Sequence, residues 1–396
     1  MHDGIIKNRK QREMRKEVLY KNGQVVVWDF TLAEADVRVS KGRIMEIAPH
    51  GCLTDSEGET DIAGMILAPG LIDMHIHGCA GVDFSVEPDT AACLTRMSEY
   101  LHSRGVAAFA PAAMTLPYET LCGLMGRYRS AAVNPLPGAA VAGIYLEGPF
   151  LSAEKCGAQA PKNILPPDIG KLRELYRESG ENIRIACVAP EVDGALGFIA
   201  QAKEFCRVSA AHTAADYETM HRATGAGITG ATHLYNGMNG VHHREPGGAA
   251  ALLESGAFCE LICDGVHVHP AIVRMTYRLI GAERLCLISD AMAATGMGDG
   301  TFSLGGQRVM VKGDEARLAD GTLAGSVTDV LQGFYNAIDF GIPPLDALRA
   351  ATLNPARALG IDNVLGSIAV GKSARMNLLD RNYRLIRTIE RGEMNQ

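Results

Sequence analysis

The chain has 396 residues, 45 acidic against 38 basic for a formal net charge of −7, and is 47% apolar and 21% charged with 44 glycines. At roughly 150 residues per domain this length allows two or three domains, or one α/β barrel of about 250 residues with a smaller companion. The composition excludes a disordered, fibrous or collagen-like protein, and the negative balance disfavours nucleic acid as a partner.

Residues 1–17 hold six Lys/Arg against three Asp/Glu and little apolar content, which reads as a mobile tail. The basic start has no apolar signal region, and no stretch approaches 18 uninterrupted apolar residues, so neither membrane insertion nor secretion is expected. The expected location is the cytoplasm. Ten cysteines are scattered without a C-x-x-C pair, several within apolar runs, and read as reduced core residues.

From Gln24 the pattern is short and β-like: Val25–Trp28, Ala35–Val39, a Lys41-Gly42 turn, then Ile44–Ala48. Beyond Gly64, apolar strand-like runs alternate with helical segments. The runs are 66–74, 106–110, 141–146, 183–189, 207–211, 228–232, 259–263 and 285–289. Helices are expected at 89–104, 117–130, 168–178, 194–204, 216–224, 247–255, 270–280 and 326–340, the last delayed by an insertion. Eight strands with eight helices predict an α/β fold, a (β/α)8 barrel of the TIM type over residues 65–359, with a doubly wound sheet as the alternative. Residues 18–64 and 360–396 are expected to complete one small β-sandwich, with possible further strands from 301–325.

Barrel enzymes gather their chemistry at the C-terminal strand ends. Strand one ends in Asp73-Met74-His75-Ile76-His77, strand three in Glu147, strand four in Glu191, strand five in His212 and strand six in His233. Strand seven ends in Asp264 with His267 just beyond, and strand eight in Asp290. Two residues apart on a strand, His75 and His77 face the same way. Either histidine set alone suits an ordinary core residue; imidazoles and a carboxylate converging from four strands suit a divalent zinc or iron ion. Glu147 reads either as an incidental acid in a tight turn or as a buried carboxylate needing a positive partner. Asp290 reads as a general base or as a helix cap. The segment 150–167 reads as a loop over the barrel mouth. His242-His243-Arg244, ahead of a helix, suits an anion such as phosphate, or is a plain surface turn.

The run Leu67-Ala68-Pro69-Gly70-Leu71-Ile72-Asp73-Met74-His75-Ile76-His77 resembles the opening signature of the amidohydrolase superfamily. Later strings are similar to the N-acetylglucosamine-6-phosphate deacetylase family within it: Leu146-Glu147-Gly148-Pro149-Phe150, His233-Leu234-Tyr235-Asn236-Gly237-Met238, Arg244-Glu245-Pro246-Gly247, Asp264-Gly265-Val266-His267, Ser289-Asp290-Ala291-Met292 and Leu323-Ala324-Gly325-Ser326. The matches run in order from about residue 60 to Asn354-Pro355-Ala356.

The resemblance implies a metal held by Glu147, His212 and His233, with Asp290 as acid/base, and substrate contacts from Ala158, Gln159, Asn236, Gly237, Arg244, Asp264, His267, Leu323, Ala324 and Gly325. Some members lack the paired histidines and hold one metal; here His75 and His77 make a second ion bridged by Glu147 an expectation. Ala211 stands where many relatives are expected to carry glycine. The implied activity is metal-dependent release of acetate from N-acetylglucosamine 6-phosphate by a homodimer whose arginine reaches a neighbour's phosphate. The alternatives are the galactosamine isomer as substrate, a cyclic-amide hydrolase, and a non-catalytic sugar-phosphate binder.

Overall fold

The computed structural model describes residues 17–54, 56–390 and the backbone of 393–394, so the expected tail lies almost wholly outside the described residues. The described residues form two compact units, one built from those within 17–70 and 362–394, the other Leu71–Ile361.

The first unit is a nine-stranded sheet curled about one core. Its central pairings join the two chain ends: Ile66–Pro69 runs parallel to Gln24–Val26 on one side and antiparallel to Met376–Leu379 on the other. Val25, Val37, Ile44, Leu67, Met376, Leu378 and Ile389 fill the core. Alternation on Leu32–Ser40 buries Val37 and Val39 there.

The second unit is the barrel, whose strands we number β1 (Leu71–Ile76), β2 (Val106–Ala113), β3 (Ile144–Leu146), β4 (Ile183–Val188), β5 (Arg207–Ala210), β6 (Ile228–Ala231), β7 (Phe258–Ile262) and β8 (Leu285–Ile288). Successive strands pair in parallel from β1 to β8. The seam between β8 and β1 closes just past the strands. There Asp290 N–H donates to the His75 carbonyl at 3.0 Å and His77 N–H to the Ala291 carbonyl at 2.9 Å. Covered on both faces, these strands read as continuous apolar runs instead of alternating ones. Helices α1 (Thr90–Ser103), α2 (Tyr118–Ala131), α3 (Ile169–Glu178), α4 (Ala195–Ala202), α5 (Tyr217–Ala226), α6 (Gly247–Glu254), α7 (Pro270–Ile280) and α8 (Val330–Asp339) follow the strands in turn. Asp89, Asp168, Asp216 and Asp329 cap four of them through their side chains. Among the described residues no helix is long and apolar enough to cross a membrane.

Two expectations need correction. The run 66–74 is not one strand: it breaks at Gly70, where Pro69 still pairs with Met376 while Leu71 pairs with Val106. One apolar stretch thus serves two sheets. The strands within 301–325 do not join the small unit either. Gly300–Leu304, Gln307–Lys312 and Glu315–Arg317 make a separate antiparallel sheet. Its inward residues Leu304, Val309, Val311 and Ala316 pack on Met114 and Met292, which follow β2 and β8. Its apolar face is therefore buried against the barrel's own C-terminal loops.

Candidate active site

Five strand ends deliver one cluster. His75 lies in β1 with His77 just past it, Glu147 follows β3, His212 follows β5 by two residues, His233 follows β6 and Asp290 follows β8, all at most 7% exposed. His212, His233 and Asp290 have φ of 44°, 28° and 49°. The chain turns sharply as it leaves each strand, in a conformation that costs a non-glycine residue about 1–3 kcal/mol.

Glu147 is the hub. Its Oε1 lies 2.9 Å from both His212 Nε2 and His233 Nε2, and its Oε2 lies 3.0 Å from His77 Nε2 and 3.6 Å from His75 Nε2. Asp290 Oδ1 lies 3.1 Å from His77 Nε2 and 3.7 Å from His75 Nε2. Each imidazole turns its other nitrogen outward to an acceptor: His75 Nδ1 to Glu260 at 3.1 Å, His77 Nδ1 to the Ala112 carbonyl at 3.2 Å, His212 Nδ1 to the Lys155 carbonyl at 2.8 Å and His233 Nδ1 to the Asn236 carbonyl at 3.1 Å. An Nδ1–H donated outward leaves the Nε2 lone pair of a neutral ring facing inward, the tautomer a metal ligand requires.

The cluster fits a metal on a second count. His75 Nε2, Glu147 Oε2 and Asp290 Oδ1 are buried with no hydrogen-bond partner among the described residues, although His77 Nε2 is close to both oxygens. Those atoms are near one another without being aimed at one another, as ligands of a shared ion are. His75, His77 and Glu147 form one group able to hold an ion, and Glu147, His212 and His233 another, with Glu147 common to both.

Electrostatics in the metal-free cluster point the same way. Burial raises the Glu147 carboxyl, but the charge of His77 and contacts from His212, His233 and His75 outweigh it and hold it well below the usual range. Asp290 is likewise lowered against burial by His77, His75 and His233. Burial opposes the charged form of His77, yet Glu147 and Asp290 beside it push that ring up to about 9. Both carboxylates thus demand positive charge beside them, which a bound cation would supply.

A cavity of about 230 Å³ opens over the cluster. Ala158, Gln159, Asn236, Gly237, His267, Leu323 and Gly325 line it with His77, Glu147, His212, His233 and Asp290. Three residues expected at the substrate do not line it. Asp264 instead pins His267, accepting from its Nδ1 at 2.6 Å. Ala324 packs in the core beneath the separate three-stranded sheet of residues 300–317. Arg244 is exposed, its guanidinium against His243. Residues not singled out from the sequence include Met114, Gly157, Leu304 and Thr322 in the cavity wall, and Glu260 beneath it. A charged residue in the apolar run Phe258-Cys259-Glu260-Leu261-Ile262 was the available signal for the last.

A barrel with metal-competent histidines and acids at its strand ends defines a class of hydrolase, and the comparison agrees: the Amidohydrolase family profile matches residues 66–394, and the chain belongs to this family. An N-acetylgalactosamine-6-phosphate deacetylase of Escherichia coli O157:H7 is 38% identical over 88% of this chain and 91% of its own length. An N-acetylglucosamine-6-phosphate deacetylase of Bacillus subtilis is 34% identical over 96% and 98%. An aspartate-to-alanine mutant of the Mycobacterium smegmatis N-acetyl-D-glucosamine-6-phosphate deacetylase, solved with N-acetyl-D-glucosamine-6-phosphate, superposes with a TM-score of 0.87 at 33% identity, covering 96% of this chain and 99% of that one.

Proposed function

We propose that the chain hydrolyses N-acetylglucosamine 6-phosphate to glucosamine 6-phosphate and acetate, using one or two divalent ions, zinc or iron, held by His75, His77, Glu147, His212 and His233. The observation that carries this reading is the set of four imidazoles whose outward nitrogens face acceptors while their Nε2 atoms converge on Glu147. Imidazole and carboxylate donors without thiolate suit these ions.

A divalent ion held by these residues would supply Lewis-acid chemistry, polarising a carbonyl and lowering the pKa of water toward about 7. Asp290, kept ionised by the neighbouring imidazoles, accepts the proton of the attacking water and returns it to the sugar nitrogen as the C–N bond breaks. His267, fixed through Nδ1 by Asp264, presents the rest of its ring to the cavity, where it is placed to stabilise the developing oxyanion. Ala158, Gln159, Asn236, Gly237, Leu323 and Gly325 wall the sugar. Arg244 with His242 and His243, exposed and outside the lining of its own cavity, suits a homodimer in which this loop meets the phosphate held by a second copy. The ten free thiols suit a reducing compartment, the cytoplasm.

A relative named N-acetylgalactosamine-6-phosphate deacetylase, 38% identical, makes the C4 epimer the competing substrate to test. The test is acetate release from both phosphorylated sugars and from unphosphorylated N-acetylglucosamine. N-acetylglucosamine 6-phosphate is expected to be fastest, with activity lost on chelation and restored by metal. Arg244→Ala should erode the preference for phosphate, mainly through KM, by roughly 10- to 150-fold, the worth of a charge-assisted hydrogen bond of about 1.5–3 kcal/mol. Faster turnover of the galacto sugar would transfer the assignment to the epimer, and no acetate from any of the three would refute the reading.

A further inference from the structure

Of the four imidazoles, His77, His212 and His233 give their outer nitrogen to a backbone carbonyl; His75 gives it to a carboxylate, Glu260. Glu260 sits in the middle of β7, 2% exposed, belongs to neither ligand group and does not line the cavity. Three donors from three other places in the barrel meet it. His75 Nδ1 lies 3.1 Å from Oε2, which also accepts the His233 backbone N–H at 3.1 Å, and the Tyr145 hydroxyl donates to Oε1 at 2.8 Å. The Tyr145 ring in turn stacks on the His75 ring at 4.2 Å and 20°. Its hydroxyl is backed by Thr232 at 2.8 Å, itself 2.7 Å from Ser209. His75 is thus held at one edge by charge and across one face by a ring whose own position is hydrogen-bonded.

We propose that Glu260 is a positioning residue for the His75, His77 and Glu147 metal group, fixing the tautomer and tilt of His75 and so deciding whether the second ion binds. This rests on the metal reading of the site. The chemistry needs a carboxylate. Glu260 accepts from three donors at two oxygens, whereas glutamine offers one oxygen and turns an NH2 toward either Tyr145 or His75. Removing an outer partner of a metal-bound histidine typically weakens the ion about 10- to 100-fold. The first group is held differently, since His233 only donates its backbone N–H to Glu260 and its ring is set by the Asn236 carbonyl.

The experiment is a Zn2+ titration of the chelator-stripped full chain against a competing metal dye, in wild type, Glu260→Gln, His75→Ala and the double variant. Two ions are expected in wild type. Glu260→Gln should keep the first at wild-type affinity and weaken the second about 10- to 100-fold. In the His75→Ala background the same change should do nothing further to the remaining ion, because its effect runs through that ring. A Glu260→Gln chain with two ions at wild-type affinities overturns the proposal, as does equal weakening of the first ion with and without His75. A wild-type chain that takes one ion overturns it differently, by removing the second site itself. Should Glu260→Gln fail to fold, Tyr145→Phe carries the test: it keeps the stack and deletes one donor to Glu260, so the second ion must weaken in the same direction, and an unchanged second ion refutes the proposal.

Discussion

Gly237 offers a sharp test of how the first metal group is held. Its φ is +61°, and a Cβ added there would lie 2.8 Å from His212 Nδ1 and 3.2 Å from Cε1. Gly157 closes the other approach, with a Cβ position 3.2 Å from Cε1 of the same ring. For Gly237→Ala the left-handed backbone alone costs about 1–2 kcal/mol. The ring must also retreat by roughly half an ångström to restore an ordinary contact, at the limit of what a preorganised site tolerates. That movement breaks the 2.8 Å bond to the Lys155 carbonyl and shifts Nε2 away from Glu147. We expect the variant to melt roughly 2–8 °C lower, to bind the first ion about 10- to 100-fold more weakly, and to lose turnover in parallel. The control lies three residues away: Gly240 has open space around its Cβ position, so Gly240→Ala should behave as wild type. Metal content after dialysis against limiting Zn2+, melting temperature and acetate release decide it. If Gly237→Ala keeps its metal and only KM rises, Gly237 acts through substrate contact alone and the cradle argument is wrong.

Two further outcomes follow from the same geometry. Asp290→Asn keeps the shape and removes the proton-accepting oxygen, so kcat should fall about 10²- to 10⁴-fold with metal content preserved; near-normal turnover would return Asp290 to a structural role. Metal loading should release protons, because His77 in the metal-free chain titrates at about 9 while a ligand must be neutral. Its value is raised above the unfolded value of about 6.5, so its contribution to metal-free stability is complete below that pH and is lost as pH rises through about 9. Metal affinity runs the opposite way. It should climb by up to about tenfold per pH unit for each proton displaced between pH 7 and 9, then flatten. Calorimetric titration in buffers of different ionisation enthalpy checks the sign, and proton uptake would refute it.

What could be read from the chain depended on how local each signal was. A barrel strand buried on both faces leaves an apolar run that stands out without any partner, and the residue after each run falls at the barrel mouth by geometry alone. His75, Glu147, His212, His233 and Asp290 were visible for that reason. The run 66–74 misled because Gly70 divides it between two sheets that are equally apolar in composition. The strands within 301–325 misled because alternation on Gln307–Lys312 reports a half-buried strand but not what covers it. Asp264 was visible as a strand-end acid, but whether it meets substrate or pins His267 depends on a side-chain rotation that no spacing encodes. Glu260 was hidden by a rule that looks at strand ends, since it acts from mid-strand beneath the ligands.

The cluster stores free energy that an ion can release. Three of its residues leave their strands with left-handed φ, each at about 1–3 kcal/mol. Glu147 and Asp290 are held charged although nearly buried, and His75, His77 and His233 are pushed upward beside them. Such an arrangement persists because the surroundings over-determine it. Glycines pack against His212, carbonyls fix three rings, Glu260 with Tyr145 fixes the fourth, and backbone bonds from Asp290 to His75 and from His77 to Ala291 tie the last strand to the first. The bonds that close the barrel are therefore the bonds that place the ligands. An ion held at 100 times its dissociation constant would add about 2.7 kcal/mol to the folded state.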